Sequence, residues 1–447
     1  MKRIFRRRPW RFEAQFHAAM LVVMSLMWPL SASSADENPA GASSAAVAEL
    51  VTANNRFAVD LFAKLSAGPG ENAFFSPYSI STALGMTWAG ARGETATQMA
   101  KVLHFSGLPE AAVAGSFAKL QQVLSEAQSQ TGAELLIANS LWPEKAPEHP
   151  LLPEYLKVVQ SDFGSIVRPV DFRANVEGAR TEINRWVEGK TRDKIKDLLH
   201  QGDIDAMTRL VLVNAIYFKA PWFEPFSKSA SAEAPFHLAS GTTKPIVLMH
   251  STHNAQYAEA TIDSKPVQIL ALEYRDPGKR AASGSGGLSF VAILPKEPAG
   301  LAAVQKALTA EKLHDWLGEM NSTRVEILLP KFRLEERYSL GSTLETMGMS
   351  DAFGDRADFS GMNGTRNLRI TKAIHQTFVD VNEEGTEAAA ATGVVMGLKA
   401  MPPTAPPVVF RADHPFVFLI REDATGSILF LGRLADPPAP VSSAASK

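Results

Sequence analysis

The chain has 447 residues, of which 45% are hydrophobic and 21% charged, and its formal net charge is −2. This composition is typical of soluble globular proteins and excludes both wholesale disorder and a bundle of membrane helices. A net charge this close to zero gives no overall field for nucleic acid, and the lack of cysteine excludes disulfides, thiol catalysis and cysteine-ligated zinc.

The first 35 residues have the pattern of a secretory signal peptide. Basic residues up to Arg11 precede a mostly apolar run at 18–30 and a small-residue stretch that ends at Ala35. The run is short for a membrane span, so we predict cleavage after Ala35 and export to the periplasm or out of the cell, with no membrane contact afterwards. An uncleaved membrane anchor is the alternative. Residues 36–45 and 438–447 are predicted as flexible tails that flank a single domain at 46–437.

Helical periodicity dominates the first half of the chain. Apolar residues recur three or four positions apart in two stripes, which predict amphipathic helices with those side chains in the core. The stripes are Ala48, Val51, Phe57, Leu61 and Leu65, and Val176, Ala179, Ile183, Trp186 and Val187.

The second half contains short, continuous apolar runs, which are typical of strands buried on both faces. These runs lie at 210–218, 289–294, 325–329, 415–420 and 428–433, and a further strand is predicted at 368–381. Helices come first and strands follow without regular alternation or repeat. We therefore predict an α+β fold with large antiparallel or mixed sheets, and a dinucleotide-binding fold is disfavoured.

No set of side chains in the sequence has the pattern of an active site. His250 and His253 form an HxxH, but the acidic residue and helical phase of a zinc protease are absent, so two ordinary histidines are the preferred interpretation. Ser285 lies in a Gly-rich stretch with no strand leading into it and no helix after it, which predicts a flexible loop and not a nucleophile elbow. Glu383 and Glu384 are adjacent, and on an extended chain they would point to opposite faces.

Local propensities conflict in the stretch from Gly385 to residue 407. Thr386, Glu387 and the four alanines after them are a plausible helix start, whereas Gly385 and the prolines at 402, 403, 406 and 407 forbid a long helix. A connection of about twenty residues without secondary structure is uncommon inside a compact domain, and it is usually functional. An exposed Ala-rich helix or linker is one interpretation.

The other interpretation is a segment with two states. In an extended conformation, residues 386, 388, 390 and 392 share one face and are Thr, Ala, Ala and Thr, small enough to enter between packed strands, while Glu387 points outward. Gly385 would supply backbone freedom where the strand ends and the loop begins. Insertion as a new strand would add on the order of ten ladder hydrogen bonds of roughly 0.5–1.5 kcal/mol each, which favours the inserted state by roughly 10 kcal/mol.

The motif EEGTEAAAATG at 383–393 resembles the hinge of inhibitory serpins, a family of serine protease inhibitors. Further stretches that resemble the family lie at 72–99, 212–226, 329–332, 358–362, 413–420 and 428–433, in the family's order. The resemblance implies an α+β serpin fold with three β-sheets, about eight or nine helices and an exposed reactive-centre loop at about 383–403. It also implies a monomer without catalytic residues, cofactor or metal, and the closest type is an inhibitory, exported member of bacterial character.

The resemblance also assigns roles to individual residues. The hinge that would enter the sheet comprises Glu383, Glu384, Gly385, Thr386, Glu387, Ala388, Ala389, Ala390, Ala391 and Thr392. The residues around the opening of the sheet would be Ser76, Ser79, Asn214, His375, Trp222 and Lys331. Of these, Lys331 would pair with Glu383, and an exposed pair of this kind is worth about 0–1 kcal/mol.

The family's spacing, counted from Glu383, places the scissile bond between Lys399 and Ala400. A basic residue before this bond suits a trypsin-like protease, whose specificity pocket has a carboxylate at its base. The stretch that follows is longer and richer in proline than is usual in the family. Leu398 and Met401 are therefore alternatives, and they would indicate chymotrypsin-like or elastase-like targets.

The resemblance implies inhibition by a suicide-substrate mechanism. A serine protease would attack the loop, form an acyl bond to Lys399, and be trapped in a distorted state when the loop inserts before water releases it. Two other functions stay open. A non-inhibitory serpin would be cut as a simple substrate or act as a carrier, and an exported hydrolase would use Ser285 or a histidine.

Overall fold

The computed structural model describes residues 43–68, 70–276, 287–387 and 406–438, which all belong to one compact unit, Ala40–Lys447. The predicted signal peptide, residues 388–405 of the loop and nearly all of both predicted tails lie outside the described residues. The first helix begins at Ser44, two residues before the predicted start of the domain.

Eleven α-helices lie in the described residues, and none of them combines the length and apolarity needed to cross a membrane. They are α1 (Ser44–Leu65), α2 (Pro77–Ala89), α3 (Gly93–Val102), α4 (Glu110–Thr131), α5 (Pro153–Asp162), α6 (Val176–Lys190), α7 (Leu301–Ala307), α8 (Ala310–Gly318), α9 (Gly341–Met347), α10 (Ser350–Phe353) and α11 (Ser360–Asn363).

Fifteen strands lie in the same described residues. They are β1 (Ala73–Phe75), β2 (Glu134–Pro143), β3 (Ile166–Val167), β4 (Leu210–Pro221), β5 (Ala232–His237), β6 (Thr243–Ile262), β7 (Lys265–Tyr274), β8 (Leu288–Pro295), β9 (Asn321–Pro330), β10 (Phe332–Ser339), β11 (Lys372–Asn382), β12 (Gly385–Thr386), β13 (Val408–Arg411), β14 (Phe416–Glu422) and β15 (Ile428–Leu434).

Hydrogen bonds join these strands into two sheets. The nine-stranded sheet has the order β1-β15-β14-β8-β7-β6-β9-β13, with β5 paired to β6. The six-stranded sheet has the order β10-β11-β12-β4-β2-β3, and β11 also pairs directly with β4. In this second sheet β4 and β11 run parallel, whereas β10 and β2 flank them antiparallel, so the sheet is mixed, as predicted.

The predicted α+β fold is confirmed, but the numbers of helices and sheets differ from those predicted. Nine of the described helices have seven or more residues, in line with the prediction, while α10 and α11 are single turns of four residues. The described strands form two sheets where three were predicted. The reason is β6, whose 20 residues pair with β5 and β9 in the first part and with β7 in the last part, so that two sheets become one.

Both predicted helical stripes form helices, α1 and α6, and the predicted strand starting at residue 368 begins later, at Lys372. In α1, Phe57 and Leu61 are fully buried, as predicted. Ala48 is exposed, so its predicted place in the core is wrong; Val47 and Leu50 face the core there instead.

Strand β4 is buried on both faces, as predicted, and its alternation defines the two sides of the six-stranded sheet. Leu212, Ile216 and Phe218 join the large core that also contains α1 and α2, and we call this side the inner face. Val213 and Ala215 point to the other side, the outer face, where they join a second apolar cluster formed with α6.

Candidate functional site

Strands β4 and β11 lie side by side over part of their length and then separate. Their direct parallel register covers residues 211–217 of β4 and 372–378 of β11. Beyond it, β12 lies between them and is antiparallel to both, with Thr386 opposite Val381 on one side and Ala220 on the other. We call this place the fork. The hinge thus enters the sheet at the point where the sheet is already open.

Gly385 and Thr386 fit the fork for different reasons. Gly385 has φ 154°, and a Cβ there would lie 2.2 Å from the Ala220 carbonyl oxygen, so only glycine allows this approach. Thr386 is fully buried with its side chain on the inner face, and its Oγ1 lies 2.6 Å from the hydroxyl oxygen of Tyr274. The sequence predicts that the strand ends at Gly385. The chain in fact leaves the sheet at Glu387, because the small Thr386 is already packed inside.

Trp222 holds the turn that precedes β12. Its backbone N–H donates to the Glu384 carbonyl at 3.0 Å, and its indole Nε1 donates to the Asn382 carbonyl at 2.9 Å. The ring is buried and stacks on Tyr274 with centroids 4.6 Å apart. Since Tyr274 also contacts Thr386, one aromatic pair supports both the turn and the first inserted residue.

The two adjacent carboxylates of the hinge have separate partners. Glu383 lies 3.0 Å from the ammonium group of Lys331; its side chain is 7% exposed and that of Lys331 is 45% exposed. Burial raises the pKa of Glu383, but the Lys331 hydrogen bond and charge outweigh burial and hold this pKa below its usual value. Glu384 pairs with the exposed Lys228 at 2.6 Å. The two carboxylates therefore fix the base of the hinge and do not form a shared acid–base site.

A buried polar cluster lies at the inner face below the fork. The backbone N–H of Ser76 donates to His375 Nε2 at 3.0 Å, and Asn214 Nδ2 donates to Ser79 Oγ at 2.7 Å. Ser79 Oγ donates to Asn139 Oδ1 at 2.9 Å. Ser76 is also the N-cap of α2, followed by proline at the first helical position, a combination that favours a helix start there. The cluster thus ties α2 to β2, β4 and β11.

His375 is neutral in this cluster. Its Nε2 accepts from an amide, so the proton is on Nδ1, which faces Asn214 Oδ1. The side chain is fully buried, and burial lowers the pKa of His375 to about 3. A protonated His375 would lose its bond to Ser76. Protonation of His375 is therefore incompatible with the hydrogen bond that ties β11 to α2.

This coupling predicts that acid destabilises the native protein. In the unfolded chain the pKa of a histidine is about 6.5, so below that pH the unfolded state binds a proton that folded His375 does not, and stability falls as pH falls. We expect His375 to account for a loss of about 2 kcal/mol between pH 6.5 and pH 5. Denaturant unfolding of the native protein and of His375→Gln at pH 5, 6 and 7 measures the difference.

A second titratable group near the sheet edge acts in the opposite direction. Burial, with a smaller effect of the Glu71 charge, raises the pKa of Glu336 to about 7, so its stabilising effect is present at low pH and lost as pH rises through that value. Because both proteins retain Glu336, the comparison cancels its effect. Equal pH dependence in the native protein and His375→Gln would show that His375 does not carry the coupling.

Several residues predicted from the sequence cannot be placed. Lys399, Ala400, Leu398 and Met401 lie outside the described residues, as do hinge residues 388–392 and Ser285. The two histidines of the HxxH lie on β6, where His250 Nε2 lies 3.2 Å from Glu326 Oε1 and His253 Nδ1 lies 3.1 Å from Ser251 Oγ. Within the described residues, no group of three His, Asp or Glu side chains could hold a metal ion.

Two residues of the site escaped the sequence interpretation. Asn139 joins the polar cluster, and Tyr274 links Trp222 to Thr386. The signal for Asn139 is a polar residue inside the apolar run of β2, where burial requires a hydrogen-bond partner. Tyr274 gave no comparable signal, because a tyrosine at the end of an apolar strand is common.

Comparison with known proteins agrees with the resemblance seen in the motifs. A family model described as serpin (serine protease inhibitor) matches residues 52–437 of the chain. Leukocyte elastase inhibitor A of Mus musculus is 41% identical over 399 residues, which are 87% of this chain and 100% of that protein. The leukocyte elastase inhibitor of Homo sapiens is 41% identical over 398 residues, with the same two coverages.

The fold agrees as well. A crystal structure of uncleaved ovalbumin matches with a TM-score of 0.74 and 31% identity, covering 87% of this chain and 100% of that chain. The family match begins after the predicted signal peptide and tail. Both relatives named above are mammalian, so they lend no support to the bacterial character expected from the sequence.

Proposed function

The chain belongs to the serpin family of serine protease inhibitors, and we propose that it inhibits trypsin-like proteases by offering them the bond between Lys399 and Ala400. It is an inhibitor and not an enzyme. The observation that carries the proposed mechanism is the fork, where Gly385 and Thr386 already form a two-residue strand that pairs with β4 on one side and with β11 on the other.

The pairing register of β12 at the fork indicates which residues of β4 and β11 an inserting loop would contact. Thr386 lies opposite Ala220 and Val381, so continuing the antiparallel pairing brings residue 392 between Asn214 and His375. These two residues belong to the buried polar cluster. We infer that the cluster closes the sheet until the loop arrives, and that Thr392, whose hydroxyl group both donates and accepts, then takes the place of the broken bonds.

The trap follows from a competition between two rates. The protease serine attacks the Lys399 carbonyl carbon, the C–N bond to Ala400 breaks, and the new amine of Ala400 takes the proton that the serine gave to its histidine. The acyl ester persists only if the loop inserts before water attacks it. Insertion carries the protease along, and deacylation stops once its oxyanion hole and triad lose their geometry.

Replacement of Lys399 tests the proposed specificity. We expect Lys399→Leu to slow the inhibition of trypsin by at least about a hundredfold, since the carboxylate in the trypsin pocket loses its partner, and to speed the inhibition of chymotrypsin. Association rates with both enzymes measure the change. The matched control is Lys306→Leu, on α7, which leaves the loop intact.

The mass of the fragment released from the trapped protein locates the bond. A fragment that begins at Ala400 supports the proposal. The names of the mammalian relatives specify elastase, which favours the alternative that cleavage follows Leu398 or Met401. In that case elastase or chymotrypsin would be trapped by the native protein, Lys399→Leu would leave trypsin inhibition unaffected, and the proposed specificity would be wrong.

Export is a further part of the proposal. It rests on the order of basic, apolar and small residues up to Ala35, and on a family match that starts only at residue 52. We propose that the mature inhibitor acts in a periplasm or outside the cell as a monomer. Sequencing the N-terminus of protein recovered outside the cytoplasm tests cleavage after Ala35.

A further inference from the structure

The outer face of the sheet is closed just below the fork by two stacked aromatic rings. Tyr217 of β4 and Phe378 of β11 have centroids 6.0 Å apart, and they are the last directly paired residues before the strands separate. The Lys194 ammonium group lies 5.4 Å from the Tyr217 ring, and the Arg333 guanidinium lies 4.5 Å from the Phe378 ring. Extending the register places residue 389 between the two rings. The rings must therefore part for the strand to grow.

The chain leaves the fork through a strained residue on this same face. Glu387 has φ 45°, a left-handed conformation that costs about 1–3 kcal/mol outside glycine. Its N–H donates to the Asp380 carbonyl at 2.7 Å, and its carboxylate pairs with Lys194. In an inserted strand Glu387 would have to become extended. The bond to Asp380 continues the pairing with β11 and would be kept in a longer strand, so the contact with Lys194 is the one that holds Glu387 in its kinked conformation.

The segment that carries Lys194 is itself fixed. It follows α6, and Arg192, Asp193 and Asp197 in it have φ values of 50°, 59° and 50°. The Arg192 side chain pairs with Glu134 of β2 at 2.9 Å. Buried Ile195 anchors the segment in the apolar cluster beneath α6. Lys194 is thus presented to Glu387 from an ordered segment.

We propose that Lys194 is a positioning residue whose pairing with Glu387 forms a latch, which keeps Glu387 kinked and slows growth of the strand beyond Thr386. This inference rests on the proposed function, in which the rate of insertion decides between inhibition and cleavage. Breaking the latch speeds insertion and leaves the start of the strand in place.

The direction of the effect follows from what holds each residue. Gly385 and Thr386 are fixed by their pairing with β4 and β11 and by Tyr274, and none of these contacts involves Lys194. The latch acts on Glu387, which comes after them. Loss of Lys194 therefore does not withdraw the hinge, and it removes only the contact that opposes the next step.

Lys194→Met tests the latch, since methionine keeps an unbranched side chain of similar length and removes the charge. Hydrogen exchange of the Glu387 amide in the intact, unclipped protein is the first measurement. We expect exchange roughly 1.5-fold to fivefold faster, which corresponds to the loss of a partly exposed ion pair. The second measurement is the fraction of protein that ends as trypsin complex and not as cleaved inhibitor, which rises.

Lys265→Met is the matched control. Lys265, on β7, also loses a carboxylate partner, Glu297 at 2.9 Å, but neither residue belongs to the hinge or the fork. We expect this variant to keep the native exchange rate at Glu387 and the native fraction of complex. Lys194→Arg restores the charge and should behave as the native protein. Glu387→Gln should reproduce Lys194→Met, and the double variant should add nothing further.

Unchanged exchange at Glu387 in Lys194→Met would overturn the latch, as would a shift of that variant from complex towards cleavage. The exchange measurement needs no protease. A native protein that formed no complex with any serine protease would contradict the proposed function. The exchange result would still decide whether Lys194 holds Glu387 in place.

Discussion

Thr386→Arg is expected to abolish the trapping of proteases while leaving the loop as easy to cut. Thr386 is fully buried on the inner face between Val381 and Ala220. An arginine there would have to bury a guanidinium group without a carboxylate partner, which costs several kcal/mol. The strand could not start, so water would release the acyl-enzyme. We expect the fraction of protein recovered as covalent complex to fall by at least about tenfold, since 1.4 kcal/mol already gives a factor of ten.

Titration of trypsin with the variant, followed by denaturing electrophoresis, gives the proportions of complex and cleaved inhibitor. Thr243→Arg, at an exposed position of β6, is the control for adding an arginine to a strand. A variant at Thr386 that traps as well as the native protein would show that insertion does not begin at this residue. A native protein that is only cleaved would instead support the alternative of a non-inhibitory serpin.

The fold could be predicted from local patterns to a large extent. The stripe around Phe57 and Leu61 predicts α1, and the apolar runs of β4 and β14 predict strands buried on both faces, because each pattern reports burial directly. The long strand β6 escaped prediction. Its middle, from His250 to Asn254, is partly or fully exposed and polar, so it carries no burial signal even though β9 pairs with it throughout.

The site was predictable where one residue type is demanded by geometry. Gly385 is required because a Cβ would meet the Ala220 carbonyl oxygen, and a small residue is required at position 386 by burial. Contacts between distant segments were not predictable. Lys194 meets Glu387 only because the segment after α6 crosses the outer face at the fork, and no local feature of either residue indicates this meeting.

Cleavage of the loop is expected to raise the thermal stability of the whole protein. Once the loop is cut, the residues after Thr386 can continue the strand into the gap between β4 and β11. Ladder hydrogen bonds on the order of ten in number, at roughly 0.5–1.5 kcal/mol each, amount to roughly 10 kcal/mol. For a domain of about 390 residues, the average entropy of unfolding converts this into a rise in Tm of roughly 12 °C. Calorimetry of intact and clipped protein measures the rise.

The matched control is the clipped Thr386→Arg variant, in which the same bond is cut but the strand cannot begin. We expect its Tm to stay at the value of its intact form, because stabilisation comes from the new strand and not from the cut. If the clipped native protein melted no higher than the intact one, the intact loop would store no free energy. The latch at Lys194 would then hold back nothing, since the state beyond the fork would not be the more stable one.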